Sequence, residues 1–123
     1  MKKILLVEDD DNILMALTVR LRAAGYDVSV AQDGFSGVQQ ACRIKPDLII
    51  SDISMPAGDG FSVAERVNTA VSTVGTPIIF LTAMKDPDLY ERAIQVGAVG
   101  FFEKPLDSAR LLLAVREALG ESA

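Results

Sequence analysis

Short runs of apolar, often β-branched residues alternate with stretches of helical periodicity, five times along the chain. The apolar runs predict strands at 4–7, 27–31, 47–51, 77–81 and 99–102. Leu48-Ile49-Ile50 and Ile78-Ile79-Phe80-Leu81 are apolar without alternation, which suits strands covered on both faces. Between the strands, apolar residues recur every three or four positions. Leu14, Leu17, Leu21 and Ala24 share one face of a first helix that Gly25 stops, and Gly34–Ile44 forms a second that ends at Pro46. Phe61, Ala64 and Val67 mark the third. Asp86-Pro87 reads as an N-cap followed by proline at the first helical position, and Gly97 closes that fourth helix. Asp107 caps the fifth, with Leu111, Leu112, Val115 and Leu119 inward before Gly120. Strands alternating with helices imply parallel pairing through right-handed crossovers. The expected architecture is α/β, a parallel sheet between two layers of helices, built as one domain over residues 1–123.

Composition narrows the classes of function. Half of the 123 residues are apolar, enough at this length to bury roughly 70% of the unfolded surface. Seventeen acidic residues against twelve basic ones give a net charge of −5, with no basic stripe. Phosphate backbones are held by clustered Lys and Arg, so direct nucleic-acid binding is not expected. A Lys/Arg-rich amphipathic helix for a membrane surface is missing too. The single cysteine, Cys42, precludes an internal disulfide and, with no histidine present, the usual zinc sites. It reads as an inert, partly buried helix residue, and Met15, Met55 and Met84 as packing residues. A reduced, cytoplasmic setting follows as the expectation. The apolar run after Lys2-Lys3 stops after four residues at Glu8, too short for a signal peptide or a span.

In open parallel sheets, ligands bind beyond the carboxyl ends of the strands. The residues predicted there are Glu8, Asp9 and Asp10 after the first strand, Asp52 after the third, Thr82 after the fourth and Lys104 after the fifth. A nucleotide-phosphate loop would be rich in glycine, whereas the first loop reads Glu8-Asp9-Asp10-Asp11 and would repel phosphate. Clustered carboxylates suit a hard divalent cation, which lets all of them stay ionised and lets a phosphoryl group approach. A strand-end carboxylate can attack phosphorus to form an acyl phosphate. The transferred group then needs charge stabilisation and little else, which a cation, the Lys104 ammonium and the Thr82 hydroxyl would supply. One acid after the first strand, Asp10 or Asp11, is expected to cap the following helix.

Four segments resemble the receiver domains of two-component response regulators. Asp52-Ile53-Ser54-Met55-Pro56-Ala57-Gly58-Asp59-Gly60 resembles their D-x-x-M-P-x-x-x-G segment, and Val7-Glu8-Asp9-Asp10 their acidic pair. Leu81-Thr82-Ala83 looks like the switch threonine, and Phe101-Phe102-Glu103-Lys104-Pro105 like the aromatic and Lys-Pro element. The resemblance spans residues 2 to 120, with the elements in order. It implies a flavodoxin-like sheet of order 2-1-3-4-5 and a phosphoacceptor at Asp52. It implies Mg²⁺ (or Mn²⁺) on Glu8, Asp9, Asp52 and the Ser54 carbonyl, with Thr82 and Lys104 at the phosphoryl group. It also implies a switch through Thr82 and Phe101, and a cis Lys104–Pro105 bond. The implied donor is a sensor histidine kinase or phosphotransfer protein. The implied outputs are a downstream partner or fused domain, and a phosphorylation-dependent homodimer. Such a domain is no conventional enzyme, since it catalyses only its own phosphorylation and slow dephosphorylation.

Two other readings use the same residues. A pseudo-receiver would bind partners without phosphorylation, but the five polar residues it has no need of are all present. A haloacid-dehalogenase-like phosphatase would need a second Asp two positions after its nucleophile, where this chain has Ser54. Phe101 is compatible with a switch or with plain strand packing. Gly97-Ala98-Val99-Gly100-Phe101 departs from the G-A-D-D-Y of winged-helix regulators and lacks the acidic pair of their dimer surface.

Overall fold

The computed structural model describes residues 1–54, 59–69 and 73–121, with the side chains of 68 and 69 left aside. Its elements follow in strict alternation: β1 Lys3–Val7, α1 Asp11–Ala23, β2 Asp27–Ala31, α2 Gly34–Ile44, β3 Leu48–Asp52, α3 Gly60–Thr69, β4 Ile78–Thr82, α4 Pro87–Gln95, β5 Gly100–Glu103 and α5 Ser108–Ala118. The strands form one parallel sheet of order β2-β1-β3-β4-β5. Helices cover both faces, as the alternation implies.

Side chains alternate across the sheet and feed two separate cores. Leu5, Val7, Ile49 and Phe80 point to one face and pack with Ala41 of α2, Phe61, Ala64 and Val67 of α3, and Leu89 and Ala93 of α4. Ile4, Leu6, Leu48, Ile50, Ile79 and Leu81 point to the other, against Leu17 and Leu21 of α1 and Leu111 and Val115 of α5. Every residue of β3 and β4 is buried, which accounts for their unbroken apolar runs.

Each helix begins on an aspartate. Asp10, and not Asp11, caps α1, its Oδ1 accepting from the N–H groups of Asn12 and Ile13 at 2.9 and 3.1 Å. Asp33 does the same for α2 through Ser36 at 2.7 Å, and Asp59 for α3 through Ser62 at 2.8 Å. Asp86 and Asp107 cap α4 and α5 as expected, with Pro87 opening α4. Lys45, in the left-handed region at φ 51°, ends α2 before Pro46.

Several expectations are corrected. The third, fourth and fifth strands each start and end one residue later than predicted. Asp47 spends its carboxylate on the Lys3 N–H at 2.7 Å, and Pro77 has no N–H to pair. At the far end the ladder carries on through Asp52 paired with Leu81, and Ile53 N–H donates to the Leu81 carbonyl at 2.9 Å. Asp52 and Thr82 are therefore the last residues of their strands rather than the first beyond them. Ala24 is exposed at the end of α1, where its N–H bonds back to Arg20 and Leu21. Cys42, Met15 and Met84 are exposed, not packed; Met55 lies outside the described residues.

α5 runs back against the strands, so it ends at the edge of the sheet where they begin. There Tyr26, 5% exposed just before β2, donates its hydroxyl to Glu121 Oε1 at 2.7 Å. At the opposite edge, a Cβ on Gly60 would stand 2.6 Å from the Asp52 carbonyl oxygen and 2.9 Å from the Ile53 Cα. Backbone cannot yield there as a side chain can. Gly60→Ala should therefore lower the unfolding free energy by about 1–3 kcal/mol. Gly37→Ala, whose Cβ would meet only the Val7 side chain at 3.0 Å, should cost less. Chemical denaturation of the two variants checks the order.

Candidate phosphoryl-transfer site

The order of the strands brings the polar residues together. β1, β3, β4 and β5 lie side by side, so Asp52 and Thr82, which end β3 and β4, stand beside Glu8 and Lys104, the first residues beyond β1 and β5. Glu8 and Thr82 are fully buried and Asp52 is 4% exposed, while Asp9 stands open to solvent. Lys104 reaches across from beyond β5. Its Nζ donates to Asp52 Oδ2 at 3.1 Å and to Glu8 Oε1 at 3.1 Å, with Glu8 Oε2 at 3.0 Å. The backbone supplements this ammonium. Asp10 N–H donates to Glu8 Oε1 at 3.2 Å, and Ser54 N–H to Asp52 Oδ1 at 3.3 Å. The Lys104–Pro105 bond is cis, as the resemblance implied.

Thr82 Oγ1 accepts the Met84 N–H at 2.9 Å, which leaves the hydroxyl proton for another acceptor. Phe101 is half-buried against the core shared by α2, α3 and α4, and meets Tyr90 of α4 edge-on with ring centroids 5.5 Å apart. Ser54 is exposed. Of the segment after Asp52, residues 55–58 lie outside the described residues.

Charge at this edge is out of balance. Burial pushes the Glu8 carboxyl up to about 7; the Asp52 charge adds to the rise, and the Lys104 hydrogen bond works against it. Burial pulls the Lys104 ammonium down, but its hydrogen bonds to Glu8 and Asp52 outweigh that and hold it above its ordinary value. Glu8, Asp9 and Asp52 each offer an oxygen to one point, all within 4.8 Å of one another. Glu8 Oε2 is buried and, apart from its ion-pair contact with the Lys104 ammonium at 3.0 Å, accepts no hydrogen bond. A buried oxygen with acceptor capacity to spare, beside two further carboxylates, fits a hard cation.

Gly60 and Phe61 belong to this neighbourhood although sequence reasoning gave them no role. The signal was the final glycine of the Asp52–Gly60 segment, whose meaning is steric: only a residue without Cβ lets α3 start against the backbone of Asp52 and Ile53.

The chain belongs to the response regulator receiver domain family, whose pattern it matches over residues 4–116. It is 35% identical over 119 residues to RpaA of Synechocystis, a DNA-binding dual master transcriptional regulator, covering 97% of this chain and 49% of that protein. It is 38% identical to the transcriptional regulatory protein PdtaR of Mycobacterium tuberculosis, covering 96% of this chain and 57% of the relative. The chain thus spans about half the length of these curated relatives. Among solved structures, the chemotaxis protein CheY4 of Vibrio cholerae superposes with a TM-score of 0.89 at 34% identity, over 97% of this chain and 99% of that one. The receiver domain of the sensor histidine kinase PA1611 from Pseudomonas aeruginosa, with magnesium coordinated in its active-site cleft, gives 0.88 at 31% identity over 98% of both chains. Among the described residues, no helix is long and apolar enough to cross a membrane.

The raised Glu8 value has a defined sign for stability. A carboxyl with a higher pKa folded than unfolded stabilises the fold below its ordinary 4.5, and that contribution is lost as pH rises through about 7. Metal-free protein should therefore lose stability between pH 5 and pH 8, and Glu8→Gln should flatten that part of the profile. Urea midpoints of both proteins across the range provide the comparison.

Proposed function

We propose that residues 1–123 form one phosphoacceptor receiver domain in which Asp52 takes a phosphoryl group from a phosphohistidine. The observation that carries this reading is the buried Asp52 carboxylate, held 3.1 Å from the Lys104 ammonium with Glu8 and Asp9 oxygens alongside. An Asp52 oxygen attacks phosphorus in line, the P–N bond to the donor imidazole breaks, and that imidazole leaves with the electron pair and takes a proton. Mg²⁺ (or Mn²⁺), held by Glu8, Asp9, Asp52 and the Ser54 carbonyl, supplies neutralising charge when bound. Lys104 stabilises one phosphoryl oxygen and already fixes the acceptor's orientation. The Thr82 hydroxyl offers its free proton to another. Water attacking the same phosphorus later returns the carboxylate and inorganic phosphate.

The donor is a sensor histidine kinase or a phosphotransfer protein. The relatives' greater length and their transcriptional roles support an output partner, separate or fused. A phosphorylation-dependent homodimer is a further reading of the face formed by α4, β5 and α5, where Tyr90, Ile94, Val99 and Leu113 are exposed. The reducing setting expected from the lone cysteine supports a cytoplasmic location.

Incubation with acetyl phosphate and Mg²⁺ should add one phosphoryl mass, about 80 Da. Asp52→Asn should gain none, and labelling of that variant equal to wild type would reassign the acceptor. Asp9→Ala should lose Mg²⁺-dependent labelling while its metal-free fold gains stability from relieved repulsion.

Switching requires an element with two arrangements that phosphate biases. Thr82 drawn toward a phosphoryl oxygen frees space for Phe101 to turn inward, which breaks its contact with Tyr90 and releases α4. Thr82→Ala should still accept phosphate yet lose most of the beryllofluoride-induced shift of the α4 amides. A full response in that variant would remove the hydroxyl from the coupling.

A further inference from the structure

The hold of α4 on the rest of the molecule is thin. Of its nine residues only Leu89 and Ala93 are buried, which places it among the elements that move at low cost. Two ring contacts grip its flanks. Tyr90 meets Phe101 of β5 edge-on, and Arg92 sets its guanidinium carbon 4.2 Å from the ring centroid of Phe61 in α3. Positions two apart on a helix point roughly 200° from each other. The two contacts therefore draw α4 in opposite directions, one toward β5 and one toward α3.

The second contact leads back to Asp52 with little slack. Phe61 is 3% exposed, lies edge-on to Phe80 with centroids 5.2 Å apart, and directly follows Gly60. Gly60 N–H donates to the Ile53 carbonyl at 2.8 Å, and its Cα hydrogens face the Asp52 carbonyl with no room for a side chain. A displacement of the end of β3 must therefore move the first turn of α3. The ring in that turn is the one beneath Arg92.

We propose that the Arg92–Phe61 stack is a clasp that holds α4 in its unphosphorylated position, a second line of coupling from Asp52 that opposes the Thr82–Phe101 line. The inference rests on the phosphoacceptor reading and deepens it, by naming what sets the balance of the switch. A contact made in one arrangement only biases the equilibrium by its own worth. For a cation over a ring at an exposed site that bias is about two- to fivefold. By reciprocity, losing the contact tightens the binding of a phosphoryl mimic by the same factor.

The test is amide NMR of the whole chain with Mg²⁺, titrated with beryllofluoride. Arg92→Gln should show α4 amides displaced, before any mimic is added, part of the way toward their wild-type bound positions. Its half-saturating beryllofluoride concentration should fall about two- to fivefold. Phe61→Leu, which keeps apolar bulk but removes the ring, should shift both readouts in the same direction. Arg110→Gln makes the same change of charge on the exposed side of α5 and should move neither. Arg92→Gln spectra that superpose on wild type in both states, or a half-saturating concentration that rises, overturn the clasp. Wild-type α4 amides that ignore beryllofluoride while amides around Asp52 shift overturn the clasp alone; no shift even around Asp52 overturns the phosphoacceptor reading, and the clasp with it.

Discussion

Two carboxylates buried at the end of a parallel sheet, sharing one ammonium, are the constraint on which the rest of this molecule depends. Removing a carboxylate from water costs several kcal/mol even after the protein relaxes, and one lysine offsets part of that for two acids. Positive charge has to be delivered to that edge, and the strand order decides from where. β4 separates β5 from β3, so Lys104 spans roughly two strand spacings of about 4.8 Å to reach Asp52, and meets Glu8, which follows β1 one strand further on. Thr82 ends the strand that the lysine crosses. Its place in the site follows from that crossing as much as from its own chemistry.

The fold was legible because its signals are redundant. The unbroken apolar runs of β3 and β4, the aspartates ahead of α4 and α5 and the glycine after α1 all point to one alternating plan. What escaped was the last residue of a strand. Whether Asp52 ends β3 or follows it depends on whether Leu81 continues the ladder beside it, and pairing partners are not written in local sequence. The same limit explains Ala24, Met15 and Cys42, which sit on plausible faces but lack a neighbouring element to cover them.

The residues of the site were legible by type and by position after each strand, while their mutual geometry was not. A carboxylate cluster predicts repulsion, yet nothing in the spacing indicates that Lys104 meets Glu8 as closely as it meets Asp52, or that burial raises the Glu8 carboxyl. Gly60 makes the point in reverse. Its meaning lies in an atom it does not have, and only the packed backbone of Asp52 and Ile53 reveals it.

The Tyr26–Glu121 hydrogen bond fixes the end of α5 at the edge where the strands begin. Strands of five residues at about 3.3 Å each put roughly 16 Å between that edge and Asp52. The screening length at physiological salt is about 8 Å, so a charge added at Asp52 would be largely invisible to anything in solvent at the far edge. A signal written at Asp52 by the proposed phosphorylation would reach that edge only as displacement, through groups in contact. On the proposed reading the molecule would be a lever rather than a beacon, its sensitivity set by the stiffness of its packing instead of by the size of an added charge.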